Sequence, residues 1–129
     1  MNKNVKNVKI LVVEDEPALS ELYRLKLSMD GFVVVVAEDG ITGIDAAIHE
    51  KPDLILLDVL LPKKDGFAVL KELKEHTTTK DIPVVILSSL GQDFEIKKGK
   101  AEGAAAYLVK TEALPGDITA KIKEILHLV

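Results

Sequence analysis

The sequence predicts an α/β fold in which five parallel strands form one doubly wound sheet with helices on both faces. Five short apolar runs alternate along the chain with five segments of helical pattern, and such alternation is typical of a parallel sheet. The run at Leu54–Leu57 contains no polar residue, as expected of a strand buried on both faces. Because crossovers between parallel strands are right-handed, a small doubly wound sheet is the simplest topology.

The first half of the chain contains two predicted strands, Val8–Val13 and Phe32–Ala37. A helix between them begins at Pro17, where the missing N–H of proline costs nothing, and ends at Asp30-Gly31. The apolar residues that recur at helical spacing along this helix are Leu19, Leu22, Leu25 and Met29. A second helix opens at Asp39-Gly40. Its predicted inner face consists of Ile41, Ile44 and Ile48.

The second half of the chain continues the alternation. The remaining strands are predicted over Leu54–Leu57, Ile82–Ser88 and Ala105–Val109. The third and last helices are marked by the apolar residues Phe67, Leu70, Leu73, Ile118, Ile122 and Ile125. A fourth helix is predicted over Gln92–Glu102, although its apolar face is thin and Gly99 lowers its stability.

Length and composition predict one soluble domain over residues 1–129, with a core of about 8–128. The chain has no cysteine, which excludes disulfides and thiolate metal sites. A net charge of −4 argues against a surface that binds nucleic acid. No apolar stretch approaches the roughly 20 residues that cross a bilayer, and the N-terminus lacks the apolar run of a signal peptide. We therefore expect a cytoplasmic protein that binds neither nucleic acid nor membrane directly.

Polar side chains lie at the ends of four predicted strands. Glu14 and Asp15 follow the first strand, Asp58 follows the third, Ser88 ends the fourth and Lys110 follows the fifth. Because parallel strands end at the same edge of the sheet, these side chains should converge on one site. Each residue alone has a simpler explanation, such as a carboxylate at a helix start, but those explanations do not account for their coincidence at one edge.

Three clustered carboxylates favour a bound cation, and oxygen ligands favour a hard ion such as Mg2+ or Mn2+. A carboxylate can also act as a nucleophile and form an aspartyl-phosphate. The cation and a lysine would neutralise charge on the transferring phosphoryl group, and a serine hydroxyl would donate a hydrogen bond to it. The pattern therefore predicts phosphoryl transfer onto Asp58.

These residues resemble the receiver domain of bacterial two-component response regulators, and the resemblance covers roughly Val8–Leu128. The segment Val12–Pro17 is similar to the acidic pair after the first strand of that family, and Leu56–Gly66 is similar to its phosphoacceptor segment, with Asp58 as acceptor. The hydroxyl, the aromatic switch residue and the lysine of the family correspond to Ser88, Tyr107 and Lys110. The resemblance implies a CheY-like strand order of 2-1-3-4-5.

The resemblance also implies a metal site and a source of phosphoryl groups. Asp15 and Asp58 would bind Mg2+ together with the backbone carbonyl of Leu60, and Glu14 would bind it through water. Asp58 would receive the phosphoryl group from a sensor histidine kinase or a phosphotransfer protein. The domain would catalyse this transfer as well as its own dephosphorylation.

A two-state switch is a further implication of the resemblance. Lys110 and Ser88 would hold the phosphoryl oxygens, Ser88 would move inward, and Tyr107 would follow. These movements would change the face formed by the fourth helix, the fifth strand and the fifth helix. That face would contact a downstream effector protein or an output domain, and a homodimer could form through it.

The sequence departs from the family pattern in two places. Lys110 precedes Thr111, where the family often has a proline in cis linkage, and a cis bond without proline costs about 2.5–4 kcal/mol. Leu60 and Leu90 are apolar at positions that flank the approach of water. The second departure suggests slow self-dephosphorylation.

Three other functions compete with this interpretation. A flavodoxin-like or dinucleotide-binding protein needs a glycine-rich or hydroxyl-rich phosphate loop after the first strand, whereas Glu14–Glu16 would repel a phosphate. An aspartate-nucleophile phosphohydrolase needs a second aspartate two residues after Asp58, where Leu60 stands. A receiver that works as a phosphate-independent binding module remains the alternative, because intact residues do not prove turnover.

Overall fold

The computed structural model describes residues 7–128, which form a single parallel sheet flanked by helices. The strands are β1 (Lys9–Val13), β2 (Val33–Ala37), β3 (Leu54–Leu57), β4 (Val84–Ser88) and β5 (Ala106–Val109). They lie in the order β2-β1-β3-β4-β5, and every neighbouring pair is parallel. The predicted doubly wound sheet with order 2-1-3-4-5 is therefore confirmed.

Within residues 7–128, five helices cover the two faces of the sheet. They are α1 (Pro17–Met29), α2 (Gly40–Glu50), α3 (Gly66–Glu75), α4 (Asp93–Ala101) and α5 (Pro115–Leu126). On one face, α1 and α5 bury an apolar cluster against the sheet, and on the other face α2, α3 and α4 bury a second cluster. β3 supplies residues to both clusters and is buried throughout, as its unbroken apolar run predicts. None of the helices in residues 7–128 is long and apolar enough to cross a membrane.

The apolar residues that recur at helical spacing in α1, and those of the predicted inner face of α2, are only partly buried. In α1 the buried residues are Tyr23 and Leu27, whereas Leu22, Leu25 and Met29 are exposed. A spacing of three residues turns the helix by only about 300°, so a row at i, i+3, i+6 drifts away from the core. The buried row instead uses the spacing of four residues from Leu19.

In α2, Ile44 and Ala47 are buried and Ile48 packs against the core, but Ile41 is exposed. Ile41 lies in the first turn of the helix, so the apolar face that packs on the core begins about one turn later than predicted. The N-terminus of α2 is capped by Asp39, whose side chain accepts a hydrogen bond from the Thr42 amide at 2.8 Å. This cap fixes where the helix starts.

Candidate functional site

The site is built at the carboxyl edge of β1 and β3, which are neighbours in the sheet. Their last residues, Val13 and Leu57, are in register, so the following residues, Glu14 and Asp58, lie side by side. The Asp58 amide donates to the Val13 carbonyl at 3.1 Å. Both carboxylates are buried, with 3% of Glu14 and 5% of Asp58 exposed. Two buried carboxylates this close together require a compensating positive charge.

Lys110 supplies that charge from the end of β5, which lies two strands away from β3 in the sheet. Its amide donates to the Ser88 carbonyl at 2.8 Å, which extends the pairing of β4 and β5 and directs the residue to the same edge. Lys110 Nζ lies 2.5 Å from Glu14 Oε1 and 2.7 Å from Asp58 Oδ2. Three residues that are far apart in sequence therefore meet in one ion-pair cluster, as the strand pattern predicts.

The pKa values of Glu14 and Lys110 are both raised in this cluster. Burial raises the pKa of Glu14 more than the hydrogen bond from Lys110 lowers it. Burial also lowers the pKa of Lys110, but the hydrogen bonds to Asp58 and Glu14 outweigh that effect, so its net pKa is raised. The Lys110 ammonium therefore keeps its proton beside Asp58, whereas burial disfavours the charged form of Glu14.

Asp15 completes a group of three carboxylates that can hold a metal ion. One carboxylate oxygen from each of Glu14, Asp15 and Asp58 lies within 4.8 Å of the other two. Asp15 is exposed, so a cation could enter from solvent. The Leu60 amide donates to Asp58 Oδ1 at 2.9 Å, which places the backbone of Leu60 beside the carboxylates. This set of oxygen donors fits a hard divalent ion.

Ser88 lies at the end of β4 and is fully buried. Its Oγ accepts a hydrogen bond from the Leu90 amide at 3.3 Å. The structure therefore brings Ser88 to the predicted edge, but its hydroxyl is hydrogen-bonded to the loop after β4 and makes no hydrogen bond to Asp58.

Tyr107, in β5, is also buried, and burial raises its pKa. Its hydroxyl donates to the Leu90 carbonyl at 2.5 Å. The backbone of Leu90 thus bonds to Ser88 through its N–H and to Tyr107 through its C=O. This link was missed by the sequence analysis, because backbone hydrogen bonds of a loop leave no trace in a residue pattern.

Gly66 is a second residue whose role the sequence analysis missed. A Cβ at this position would lie 2.1 Å from Val59 Cα and 2.5 Å from the Asp58 carbonyl oxygen. The Gly66 amide donates to the Val59 carbonyl at 3.0 Å. Only a glycine lets α3 start so close to the loop that carries Asp58. The Asp65-Gly66 pair indicated a turn, but not this contact.

The two departures from the family pattern also have a place in the structure. The Lys110–Thr111 peptide is trans, as expected where no proline follows the lysine. Leu60 is 49% exposed, and Leu90 is partly buried. Leu60 follows β3 and Leu90 follows β4, so both leucines lie on loops at the same edge of the sheet as Asp58.

Comparison with known proteins identifies relatives of this chain. The sequence matches the response regulator receiver domain over residues 10–123. It is 45% identical over 119 residues to RpaA of Synechocystis sp., a DNA-binding dual master transcriptional regulator, and this match covers 92% of the chain and 49% of RpaA. The chain therefore spans about half the length of that relative.

Two solved structures are informative for the site. The phosphorylated cyanobacterial phytochrome response regulator RcpA is 34% identical, with a TM-score of 0.80 and 94% of each chain covered. The Mn(2+)-bound form of response regulator Rcp1 is 30% identical, with a TM-score of 0.76, and the match covers 94% of this chain and 96% of that one. Because sequence and fold agree over most of its length, this chain belongs to the response regulator receiver domain family.

Proposed function

We propose that Asp58 accepts a phosphoryl group from a sensor histidine kinase or a phosphotransfer protein. The observation that carries this proposal is the 2.7 Å contact between Lys110 Nζ and Asp58 Oδ2 in a buried acidic cluster. A carboxylate oxygen of Asp58 attacks phosphorus, the O–P bond forms, and the P–N bond to the donor histidine breaks. The donor imidazole leaves with the bonding electron pair. The relative RcpA, whose structure is of the phosphorylated protein, supports this chemistry.

A divalent cation, Mg2+ or Mn2+, would be held by Asp15, Asp58 and the backbone carbonyl of Leu60, and by Glu14 through water. Bound there, it would offset negative charge on the carboxylates and on the phosphoryl oxygens. The oxygen donors of Glu14, Asp15 and Asp58 lie close enough together for such an ion. The Mn(2+)-bound form of the relative Rcp1 supports the choice of metal.

Lys110 and Ser88 would hold the new phosphoryl group. The Lys110 ammonium already touches Asp58 and would pair with a phosphoryl oxygen without moving far. Ser88 would give up its hydrogen bond with the Leu90 amide and donate to another phosphoryl oxygen. Because the carbonyl of Leu90 also accepts from Tyr107, a shift of this loop would be felt by the Tyr107 ring.

The face formed by α4, β5 and α5 would carry the signal to a downstream effector protein or to an output domain. The relative RpaA is a DNA-binding regulator about twice as long as the matched region, which supports an output domain of that kind. A homodimer through the same face is an alternative way to pass on the signal. We further propose that the protein acts in the cytoplasm, where a histidine kinase would present its phosphoryl group.

A receiver that works without phosphate finds no support in the geometry. The acceptor, the acidic pair and the lysine converge within hydrogen-bonding distance or within reach of one cation. A binding module that never reacts with phosphate has no need for this cluster, whose buried charges are costly to maintain.

Intact-mass measurement tests the proposal directly. The protein is incubated with acetyl phosphate and Mg2+, beside the variants Asp58→Asn and Asp65→Asn. We expect a single phosphoryl adduct on the wild type and on Asp65→Asn, whose exposed carboxylate makes no cap hydrogen bond on α3. The adduct should be absent from Asp58→Asn and from wild type treated with a chelator. An adduct that persists in Asp58→Asn, or no adduct on folded wild type, would overturn the proposal.

A further inference from the structure

Gly99 is the one buried residue of α4 among the residues described. A Cβ at this position would lie 2.7 Å from Ile86 Cδ1, 2.9 Å from Tyr107 Cδ2 and 3.2 Å from Tyr107 Cε2. Carbon atoms in ordinary contact are about 3.5–4.0 Å apart. The backbone of α4 therefore packs so closely against the Tyr107 ring that an added Cβ would force Ile86 or the ring to shift.

This glycine lowers the intrinsic stability of the helix in which it lies. Glycine is the weakest helix former apart from proline, and α4 has nine residues with few apolar ones. By contrast, Gly116 in α5 has no atom within 4 Å of the position its Cβ would take. Gly99 thus occupies a position where the contact with Tyr107 and Ile86, and not the helix itself, excludes a side chain.

The contact bears on a groove between α4, β5 and α5. This groove has a volume of about 430 Å³, and its lining includes Ile96 of α4, Tyr107 of β5 and Asp117 of α5. If α4 lay farther out or the Tyr107 ring swung away from the core, the hydroxyl would leave the Leu90 carbonyl and the groove would change shape. The Tyr107 ring therefore contacts α4 at Gly99, and its hydroxyl is bonded to the Leu90 carbonyl.

We propose that Gly99 is a positioning residue for Tyr107, which holds the ring buried and its hydroxyl on Leu90 by letting α4 pack against it. The consequence for signalling rests on the proposed function, because Tyr107 would relay the state of Asp58 to the α4–β5–α5 face. The packing itself does not depend on phosphorylation. It can therefore be tested in the protein without any phosphodonor.

Tyrosine fluorescence offers a clean test because the chain has two tyrosines and no tryptophan. In a Tyr23→Phe background, Tyr107 is the sole emitter, and acrylamide quenching reports its exposure. We expect Gly99→Ala to raise the quenching constant toward that of free N-acetyltyrosinamide. Gly116→Ala is the matched control, since it makes the same change in a helix without a clash, and it should leave quenching unchanged. Equal quenching in all three proteins would overturn the proposal.

A thermal double-mutant cycle gives a second test that holds even if Gly99→Ala folds poorly. Tyr107→Ala removes the ring atoms that a Cβ at position 99 would meet. The fall in Tm caused by Gly99→Ala should therefore be smaller in the Tyr107→Ala background than in wild type. An equal fall in both backgrounds, or no fall in wild type, would show that Gly99 does not act through Tyr107. Because neither test uses phosphate, a negative result here is distinct from failure of Asp58 to accept a phosphoryl group.

Discussion

Lys110 and Asp58 are joined by a contact of 2.7 Å between Nζ and Oδ2, although 52 residues separate them in sequence. The same ammonium lies 2.5 Å from Glu14 Oε1. Because Lys110 is the cation that the structure shows within bonding distance of both buried carboxylates, it holds the acceptor pocket together before any reaction takes place. Its removal should therefore affect the stability of the fold as well as the chemistry.

Lys110→Met should lower the free energy of unfolding by about 3 kcal/mol at pH 7, because it leaves two buried carboxylates without a cationic partner. Urea unfolding in the absence of divalent ions measures this loss. Added Mg2+ should restore more stability to the variant than to wild type, since a cation would then offset the unpaired charge. Lys121→Met is the control: its partner Glu124 is an exposed residue on the same helix, and such pairs contribute about 1 kcal/mol or less. Equal losses in the two variants would contradict this assignment.

Gly66→Ala should be strongly destabilising, because its Cβ would overlap the backbone of Asp58 and Val59. Backbone atoms cannot turn aside as a side chain can, so either α3 or the acceptor loop must move. We expect a loss of about 3 kcal/mol, at the upper end of the usual cost of overpacking. We also expect slower phosphorylation by acetyl phosphate. Gly116→Ala, which meets no atom, should leave both the urea midpoint and the phosphorylation rate near wild type. A Gly66→Ala variant that matches it would refute the packing argument.

The strand pattern predicts the site well because the sheet converts sequence position into spatial position. Once Glu14, Asp58, Ser88 and Lys110 are assigned to strand ends, the parallel topology brings them to one edge whatever the loops do. Loop lengths and side-chain conformations then decide which of these side chains contact one another. The contact of Ser88 with the Leu90 amide, and not with Asp58, belongs to this second level.

The parts that could not be predicted depend on packing distances. In α1, leucines at three-residue spacing and the four-residue row Leu19-Tyr23-Leu27 give two possible apolar rows, and only the sheet decides that Tyr23 and Leu27 face inward. Gly99 is predicted only to weaken α4, yet a side chain there would collide with Tyr107. The sequence shows that residue 99 has no side chain, but it does not show that Tyr107 occupies the space that a side chain would take.

Thr119 and Asp30 provide a test of pH dependence away from the acidic cluster. Thr119 Oγ1 donates to Asp30 Oδ2 at 2.6 Å and so links α5 to the end of α1. This hydrogen bond, helped by Lys26, lowers the pKa of Asp30 below its ordinary value of 3.8. A depressed folded-state pKa contributes stability that is present above pH 3.8 and is lost as the pH falls through the lower folded value.

Thr119→Val should therefore cost about 1 kcal/mol at pH 7. The difference from wild type should shrink as the pH falls below about 3.8 and through the lowered pKa of Asp30 in wild type, below which Asp30 is protonated in both proteins. Urea unfolding at a series of pH values measures this difference. In the Thr119→Val background, Asp30→Asn should cost only the partly exposed Lys26–Asp30 ion pair, about 1 kcal/mol or less, because the hydrogen bond to Thr119 is already lost. A difference that stays constant down to the lowest pH would mean that the hydrogen bond does not depend on the Asp30 charge.

Leu60 gives a prediction for the lifetime of the phosphorylated state. Its side chain is 49% exposed, and its amide is bonded to Asp58, so it lies where water would approach the phosphoryl group. An apolar side chain there offers no hydrogen bond to orient an attacking water. We expect Leu60→Asn to shorten the half-life of the phosphoryl adduct several-fold, as followed by intact mass after removal of the donor. Leu25→Asn is the matched control, because Leu25 is 47% exposed on α1, and it should leave the half-life unchanged. If the half-life of Leu60→Asn equals that of Leu25→Asn, access of water past residue 60 does not set the decay rate.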